Sequence, residues 1–146
     1  FMKENIQDAQ EIVLVAIDIA KARNDVLVQL PDGSRKALKV ANDMNDYRKF
    51  ILYLSSLRYP CHIGFEATAN YHRPIAYHLQ TAGFSVYYVS SLSAARTREA
   101  LHNSWDKNDP KDAQVILHLL KTGITQTYYD PLINSHIEVV KLALVV

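Results

Sequence analysis

The sequence is short of the residues that would staple, bend or anchor a chain. One cysteine among 146 residues allows no disulfide framework, which fits a reducing compartment. That residue, Cys61, lies in the apolar run Cys61-His62-Ile63-Gly64-Phe65 and reads as a buried, inert thiol. Only four glycines and five prolines occur, with no low-complexity tract, which excludes a collagenous or broadly disordered chain. Long hydrophobic runs are missing too: the longest apolar stretches reach about half of the ~20 residues a membrane helix needs. Phe1-Met2-Lys3-Glu4 opens no signal-peptide pattern, so a cytoplasmic protein without a membrane partner is expected. An excess of one charge is also absent. Sixteen Lys and Arg against fifteen Asp and Glu leave a formal net charge of +1, too little to hold nucleic acid by bulk electrostatics. Any such contact must come from a local patch.

What is present is an ordinary globular composition, 49% hydrophobic and 21% charged. A chain of this length buries roughly two thirds of its unfolded surface around one core. Ile12-Val13-Leu14-Val15-Ala16-Ile17-Asp18-Ile19 is a dense β-branched run with the pattern of a central strand, and Asp18 is its only charge. Asp25 to Leu30 and the alternating Arg35 to Val40 flank Pro31-Asp32-Gly33-Ser34, a segment with turn chemistry, which predicts a three-stranded antiparallel meander. Asn42 or Asp43 can cap a helix with apolar positions Met44, Tyr47, Phe50, Ile51, Leu54 and Leu57, broken at Pro60. A strand from Cys61 to Glu66 follows, then a helix from about Tyr71 to Ala82 that stops at Gly83, and a strand from Phe84 to Val89. Helices are expected over roughly Leu92 to Leu101 and from Pro110 to about Lys121, ending at Gly123.

A meander followed by alternating strand and helix implies an α/β fold, with a mixed five-stranded sheet and helices on both faces, because parallel neighbours need helical crossovers. Three strands should be antiparallel and two parallel-joined, the topology of RNase H-like, RuvC-type folds. Residues 1–11 read as an N-terminal extension and 12–127 as the catalytic domain. Residues 128–146 read as the start of a helical linker: Val139-Val140-Lys141-Leu142-Ala143-Leu144-Val145-Val146 ends without a cap, so a further domain or a partner helix is expected.

Four carboxylates carry the chemistry. Asp18 and Glu66 fall on strands expected to be neighbours, where both can project to the sheet edge at which α/β proteins form their ligand crevices. Asp109 and Asp112 stand three apart at a helix start, on one face of the first turn. Four such groups in one cleft would repel unless a cation neutralised them, and hard oxygen ligands select Mg²⁺ or Mn²⁺ rather than Zn²⁺. Two ions about 3.5–4 Å apart can stabilise both the attacking and the leaving oxygen of an in-line displacement at phosphorus. Bland readings exist for each member: Asp109 as an N-cap with Asp112 closing a capping-box-like turn, and Glu66 as a strand-end charge. Asp18 resists one, since a carboxylate within a Val/Ile strand is costly to bury unpaired.

At these residues the chain resembles the DEDD-type insertion-sequence transposases, the "one-ten" insertion-sequence family that includes the pilin-gene invertases. The resemblance is carried by Ala16-Ile17-Asp18-Ile19-Ala20-Lys21, by Gly64-Phe65-Glu66-Ala67-Thr68-Ala69-Asn70-Tyr71-His72, and by Lys107-Asn108-Asp109-Pro110-Lys111-Asp112-Ala113, in the family's order and spacing. Ala69 stands where the family usually has Gly, and Asn108 where Thr is common. The resemblance implies that Asp18, Glu66, Asp109 and Asp112 form a catalytic tetrad holding Mg²⁺ or Mn²⁺, as two ions, with DNA as substrate. It also implies a C-terminal domain that supplies a nucleophilic serine, and a structured guide RNA. Ser90, Ser91, Ser93 and Ser104 sit beside no base in the sequence, so none is nominated as nucleophile.

Arg96, Arg98, Trp105, Lys107 and Lys111, together with His102, form a basic and aromatic approach to Asp109 suited to phosphate contact and base stacking, or else a solvated helix face with a packed Trp. Lys21 and Arg23 follow the Asp18 strand and either touch phosphates, the reading the resemblance favours, or solubilise a turn. Six histidines lack zinc spacing, and most of the nine tyrosines fall at packing positions. A homo-oligomer formed through the apolar C-terminal helix is expected in any case, and three other functions stay open: a stand-alone RuvC-like nuclease, a non-catalytic oligomerisation module, and an actin-like ATPase. The last needs Gly-rich phosphate loops, which Asp18-Ile19-Ala20-Lys21 does not supply.

Overall fold

The computed structural model describes residues 11–66, 70–101 and 109–130. Strands β1 (Val13–Asp18), β2 (Arg23–Gln29) and β3 (Arg35–Ala41) form the expected antiparallel meander, with Asp18 opposite Asp25 and Asp25 opposite Lys39. The turn between β2 and β3 is held by Asp32, whose Oδ1 accepts from the Ser34 N–H at 2.9 Å. Helix α1 (Met44–Ser56) starts at Asp43, whose side chain accepts from the Asp46 N–H. It delivers the chain to β4 (Cys61–Glu66), which lies parallel to β1 with Ile17 beside Phe65. Helix α2 (Arg73–Thr81) leads to β5 (Ser85–Val89), parallel to β4. Helix α3 (Ser91–Ala100) and helix α4 (Lys111–Thr122) follow, and α4 stops at Gly123, whose φ of 74° is the left-handed conformation expected of its C-terminal cap.

The sheet has six strands rather than the expected five, in the order β3-β2-β1-β4-β5-β6. The addition is β6 (Gln126–Thr127), antiparallel to β5 at the sheet edge. Two polar, exposed residues carry no hydrophobic alternation, so this pairing leaves no trace in the pattern. Its anchors are the Tyr128 N–H, which donates to the Val86 carbonyl at 2.9 Å, and the Tyr88 hydroxyl, which donates to the Gln126 amide oxygen.

Helices cover both faces. On one, Val13, Val15, Ile17, Val26, Val28, Ile63 and Phe65 pack against Tyr47, Phe50 and Leu54 of α1 and Ile75, Ala76 and Leu79 of α2. On the other, the alternate residues Ala16 and Leu27 lie under Ala113, Val115, Ile116, Leu117 and Leu119 of α4. Gly64 permits the close approach on this side, because a Cβ there would stand 2.9 Å from Leu120 Cδ2. Period-two alternation puts Asp18 and Glu66 on this same face. Tyr128 and Asp130, expected to begin a linker, are buried on the domain, with Arg73 donating to both oxygens of Asp130 at 2.7 and 3.1 Å. Residues 131–146, where the uncapped helix was expected, lie outside the described residues. Among the described residues no helix is long and apolar enough to cross a membrane.

Candidate active site

Strand alternation and register build the first half of the site. Asp18 and Glu66 are the last residues of β1 and β4, and one step beyond the Ile17 to Phe65 pair they end neighbouring parallel strands on the α4 face. Asp112, in the first turn of α4, completes the group from above. Their proximity is felt most at Asp18. Burial first, then the charges of Asp112, Asp25 and Glu66, push its carboxyl from 3.8 up to about 6, with Arg98 pulling the other way.

Asp25 is a member that sequence reasoning missed. Its signal was available: in a meander with a tight turn, the residue opposite Asp18 on β2 shares its face. Lys39, opposite Asp25 on β3, lies 3.3 Å from its Oδ1.

Arg98 enters the carboxylates themselves. Its Nε and Nη2 donate to Asp112 Oδ1 at 3.1 and 2.9 Å, and Nη2 lies 4.0 Å from Glu66 Oε1. Asp112 is therefore engaged in an ion pair rather than in capping α4, where Pro110 holds the N-cap position without a side-chain bond. Asp109 lies elsewhere. Its Oδ2 is 3.4 Å from Arg35 Nη1, and Arg35 is registered with Gln29, which faces Leu14 at the far end of β1 from Asp18. The structure thus brings Asp18, Glu66 and Asp112 into mutual electrostatic reach, and holds Asp109 with Arg35.

The donor chemistry fits a hard divalent cation: all oxygen, on three elements, with the Asp18 carboxyl raised by burial and then by neighbouring carboxylates. The geometry is that of a cluster closed around a guanidinium, and among the described residues no three ligating side chains converge tightly enough to hold one ion.

The predicted basic residues divide. Lys21, Arg23, Arg96 and Lys111 are exposed, Lys21 within the β1–β2 turn, Arg23 at the start of β2 and Lys111 one residue before Asp112. Trp105, Lys107 and His102 lie outside the described residues. The β1–β2 turn is held by a polar bracket that the sequence pattern did not reveal. Buried Asn24 accepts from the Ala20 N–H at 3.0 Å and donates to the Val40 carbonyl at 3.1 Å and to Asn42 Oδ1 at 2.8 Å. Asn42 in turn donates to the Ala20 and Lys21 carbonyls at 2.9 and 2.8 Å. Buried His72 is a packing residue, stacked on Phe65 and edge-on to Tyr128.

Comparison with known proteins agrees with this architecture. RuvC of Thermus thermophilus superposes with a TM-score of 0.53 at 13% identity, over 80% of this chain and 99% of RuvC. The T. thermophilus RuvC in complex with a Holliday junction substrate gives 0.51 at 11% identity, over the same shares of the two chains. At such identities the likeness establishes an RNase H-like fold. No curated protein matches the sequence. A model of the DEDD-type insertion-sequence transposases, described as "Transposase", matches residues 15–139. With that match spanning most of the chain, the protein belongs to the DEDD transposase family.

Proposed function

We propose that this chain is the metal-binding catalytic domain of a DNA transposase or site-specific recombinase, acting by divalent-metal-assisted phosphoryl transfer. The observation that carries the reading is the meeting of carboxylates from β1, β4 and α4: Asp18 and Glu66 end adjacent parallel strands, and the Arg98 guanidinium lies 2.9 Å from Asp112 Oδ1 and 4.0 Å from Glu66 Oε1. Asp18, Glu66 and Asp112 would hold Mg²⁺ or Mn²⁺, with Asp109, three residues before Asp112, completing the tetrad on release from Arg35. When bound, two such ions would polarise a scissile phosphate and stabilise its entering and leaving oxygens.

The chain's own residues contribute placement. The sheet fixes Asp18 and Glu66 side by side on rigid strands, where a site is held more precisely than on loops. Lys21, Arg23, Arg96 and Lys111 offer exposed cations for the DNA backbone, which positions a duplex without reading its sequence. The solved RuvC complex with a Holliday junction supports branched DNA as the first substrate to test. A structured guide RNA belongs to the same reading through the family, and self-association through the apolar sequence from Val139 to Val146.

The test is thermal unfolding of the chain with Mg²⁺ or Mn²⁺, beside Asp18→Ala, Glu66→Ala and Asp112→Ala. An ion that binds only the folded state stabilises it, by about 2.7 kcal/mol at one hundred times its Kd. Stabilisation that weakens in all three variants is expected. A parent that stays unresponsive to millimolar Mn²⁺, with and without a four-way DNA junction, would refute the reading.

A further inference from the structure

Asp112 in the first turn of α4 and Asp109 just before that helix are both engaged by arginines, Asp112 by Arg98 and Asp109 by Arg35. The Arg98 contact is the more telling. Its guanidinium places two nitrogens on a single oxygen, Asp112 Oδ1, and lies 4.0 Å from Glu66 Oε1, so one cation spans carboxylates from β4 and α4. A paired carboxylate usually takes a guanidinium across both of its oxygens. Here the second Asp112 oxygen is left out of the arginine contact, and Arg98 leans toward Glu66 instead. The Arg98 and Asp112 side chains retain 42% and 49% of their exposure, so the pair is reachable by ions from solvent.

The helix that carries Arg98 is lightly fixed. Of the ten residues of α3, only Ala94 is buried, and the N-cap is Ser90, whose Oγ accepts from the Ser93 N–H at 3.0 Å. Withdrawing one long side chain from such an element leaves the core of the domain undisturbed.

We propose that Arg98 is an internal counter-ion that occupies the place of a divalent cation between Glu66 and Asp112, and that metal binding requires its displacement. This inference rests on the metal reading above. Arg98 neutralises the cluster in the metal-free domain and competes with the ion for Asp112. Displaced, its guanidinium remains tethered at the rim, where an incoming phosphodiester is its natural partner. The effect is to tie ion capture to the arrival of DNA, because a phosphate that takes Arg98 frees Asp112.

The probe is Mn²⁺ alone, titrated calorimetrically at low ionic strength into the chain and into Arg98→Gln, Arg98→Lys and Arg96→Gln. Arg98→Gln should bind Mn²⁺ about tenfold tighter, with Arg98→Lys between it and the parent. Arg96→Gln removes the same charge from the same helix without an Asp112 contact, and should change affinity by less than twofold. In parallel, a double-mutant cycle of Arg98→Gln and Asp112→Asn, followed by thermal unfolding without metal, measures the ion pair itself. Coupling in that cycle together with tighter Mn²⁺ binding is the expected result. Coupling with Mn²⁺ bound equally by parent and Arg98→Gln, or equal gains from Arg96→Gln and Arg98→Gln, would overturn the displacement while leaving the metal reading intact. Absence of Mn²⁺ binding from parent and variants alike would overturn the metal reading, and the competition with it. Should Arg98→Gln not fold, Arg98→Lys against the parent decides the same question at smaller amplitude.

Discussion

The two faces of the sheet are built for different work. Under α1 and α2 the strands present Val13, Val15, Ile17, Val26, Val28, Ile63 and Phe65, a large aliphatic and aromatic surface that fills the space beneath both helices. Under α4 they present Ala16, Leu27 and Gly64, and then, where the strands end, Asp18, Asp25 and Glu66. Bulk on the first face supplies burial free energy. Small residues on the second let α4 come close enough for Asp112 to reach the strand-end carboxylates. One pair of adjacent residues, Gly64 and Phe65, divides these roles by pointing opposite ways.

Phe65→Ala should break the first face most severely. Phe65 is fully buried and packs on Tyr128 and His72, so truncation leaves a cavity and should cost about 3–5 kcal/mol of unfolding free energy in urea titration. The carboxylates lie on the other face, so those molecules that stay folded should keep any Mn²⁺ response. A loss below 1 kcal/mol would mean that this face is not the main source of stability.

Asn24→Ala comes next. It would leave the Ala20 N–H, the Val40 carbonyl and Asn42 without their buried partner, at about 2–3 kcal/mol in the same titration. It should also loosen the turn that carries Lys21, visible as faster amide exchange at Ala20. Unchanged exchange there would show that Asn42 holds the turn by itself.

Gly64→Val tests the second face directly. A Cβ at this position meets the Leu120 methyls at 2.9 and 3.1 Å, which Gly64→Ala can accommodate by a rotation of that side chain, whereas a branched residue forces α4 outward. About 1–2 kcal/mol should be lost, and the Mn²⁺ response weakened more than in Phe65→Ala, although Phe65→Ala costs more stability. The reverse order would mean that the height of α4 does not govern the site.

Much of this division was legible beforehand, for reasons visible in particular residues. The dense apolar runs Val13 to Asp18 and Cys61 to Glu66 marked two central strands, and the helical crossover between them made them parallel neighbours, as the structure pairs them. The α4 boundary at Gly123 and the α1 cap at Asp43 were readable because each rests on one residue's local chemistry. Strand β6 was not, since two exposed polar residues have no period. Nor were the ion pairs. Arg35 and Asp109 are 74 residues apart, and no local rule says which carboxylate a long arginine will choose. Arg98 was expected at phosphates as one of several exposed cations, and only the packing of α3 beside α4 turns it toward Asp112 and Glu66. Asp25 was hidden for the opposite reason: it sat inside a segment already read as a plain strand.

The smallest effect on stability gives the sharpest view of the second face. Burial and neighbouring carboxylates raise the Asp18 carboxyl from 3.8 to about 6, so the folded state favours the protonated form. Ionisation of Asp18 therefore destabilises the fold: the penalty is absent below pH 3.8, grows as pH rises, and is complete above about 6. A fully shielded shift of this size would amount to about 3 kcal/mol, and since Asp18 is only half-buried, screening reduces it to the order of 1 kcal/mol. Asp18→Asn removes the ionisation. In metal-free buffer it should unfold a few degrees above the parent at pH 7.5, and the difference should shrink through pH 5 and vanish near pH 3.5. With saturating Mn²⁺ the order should reverse, because the parent gains a ligand that the variant has lost. A pH-independent gap between the two would mean that the Asp18 carboxyl is neither desolvated nor held among like charges at the ends of β1 and β4.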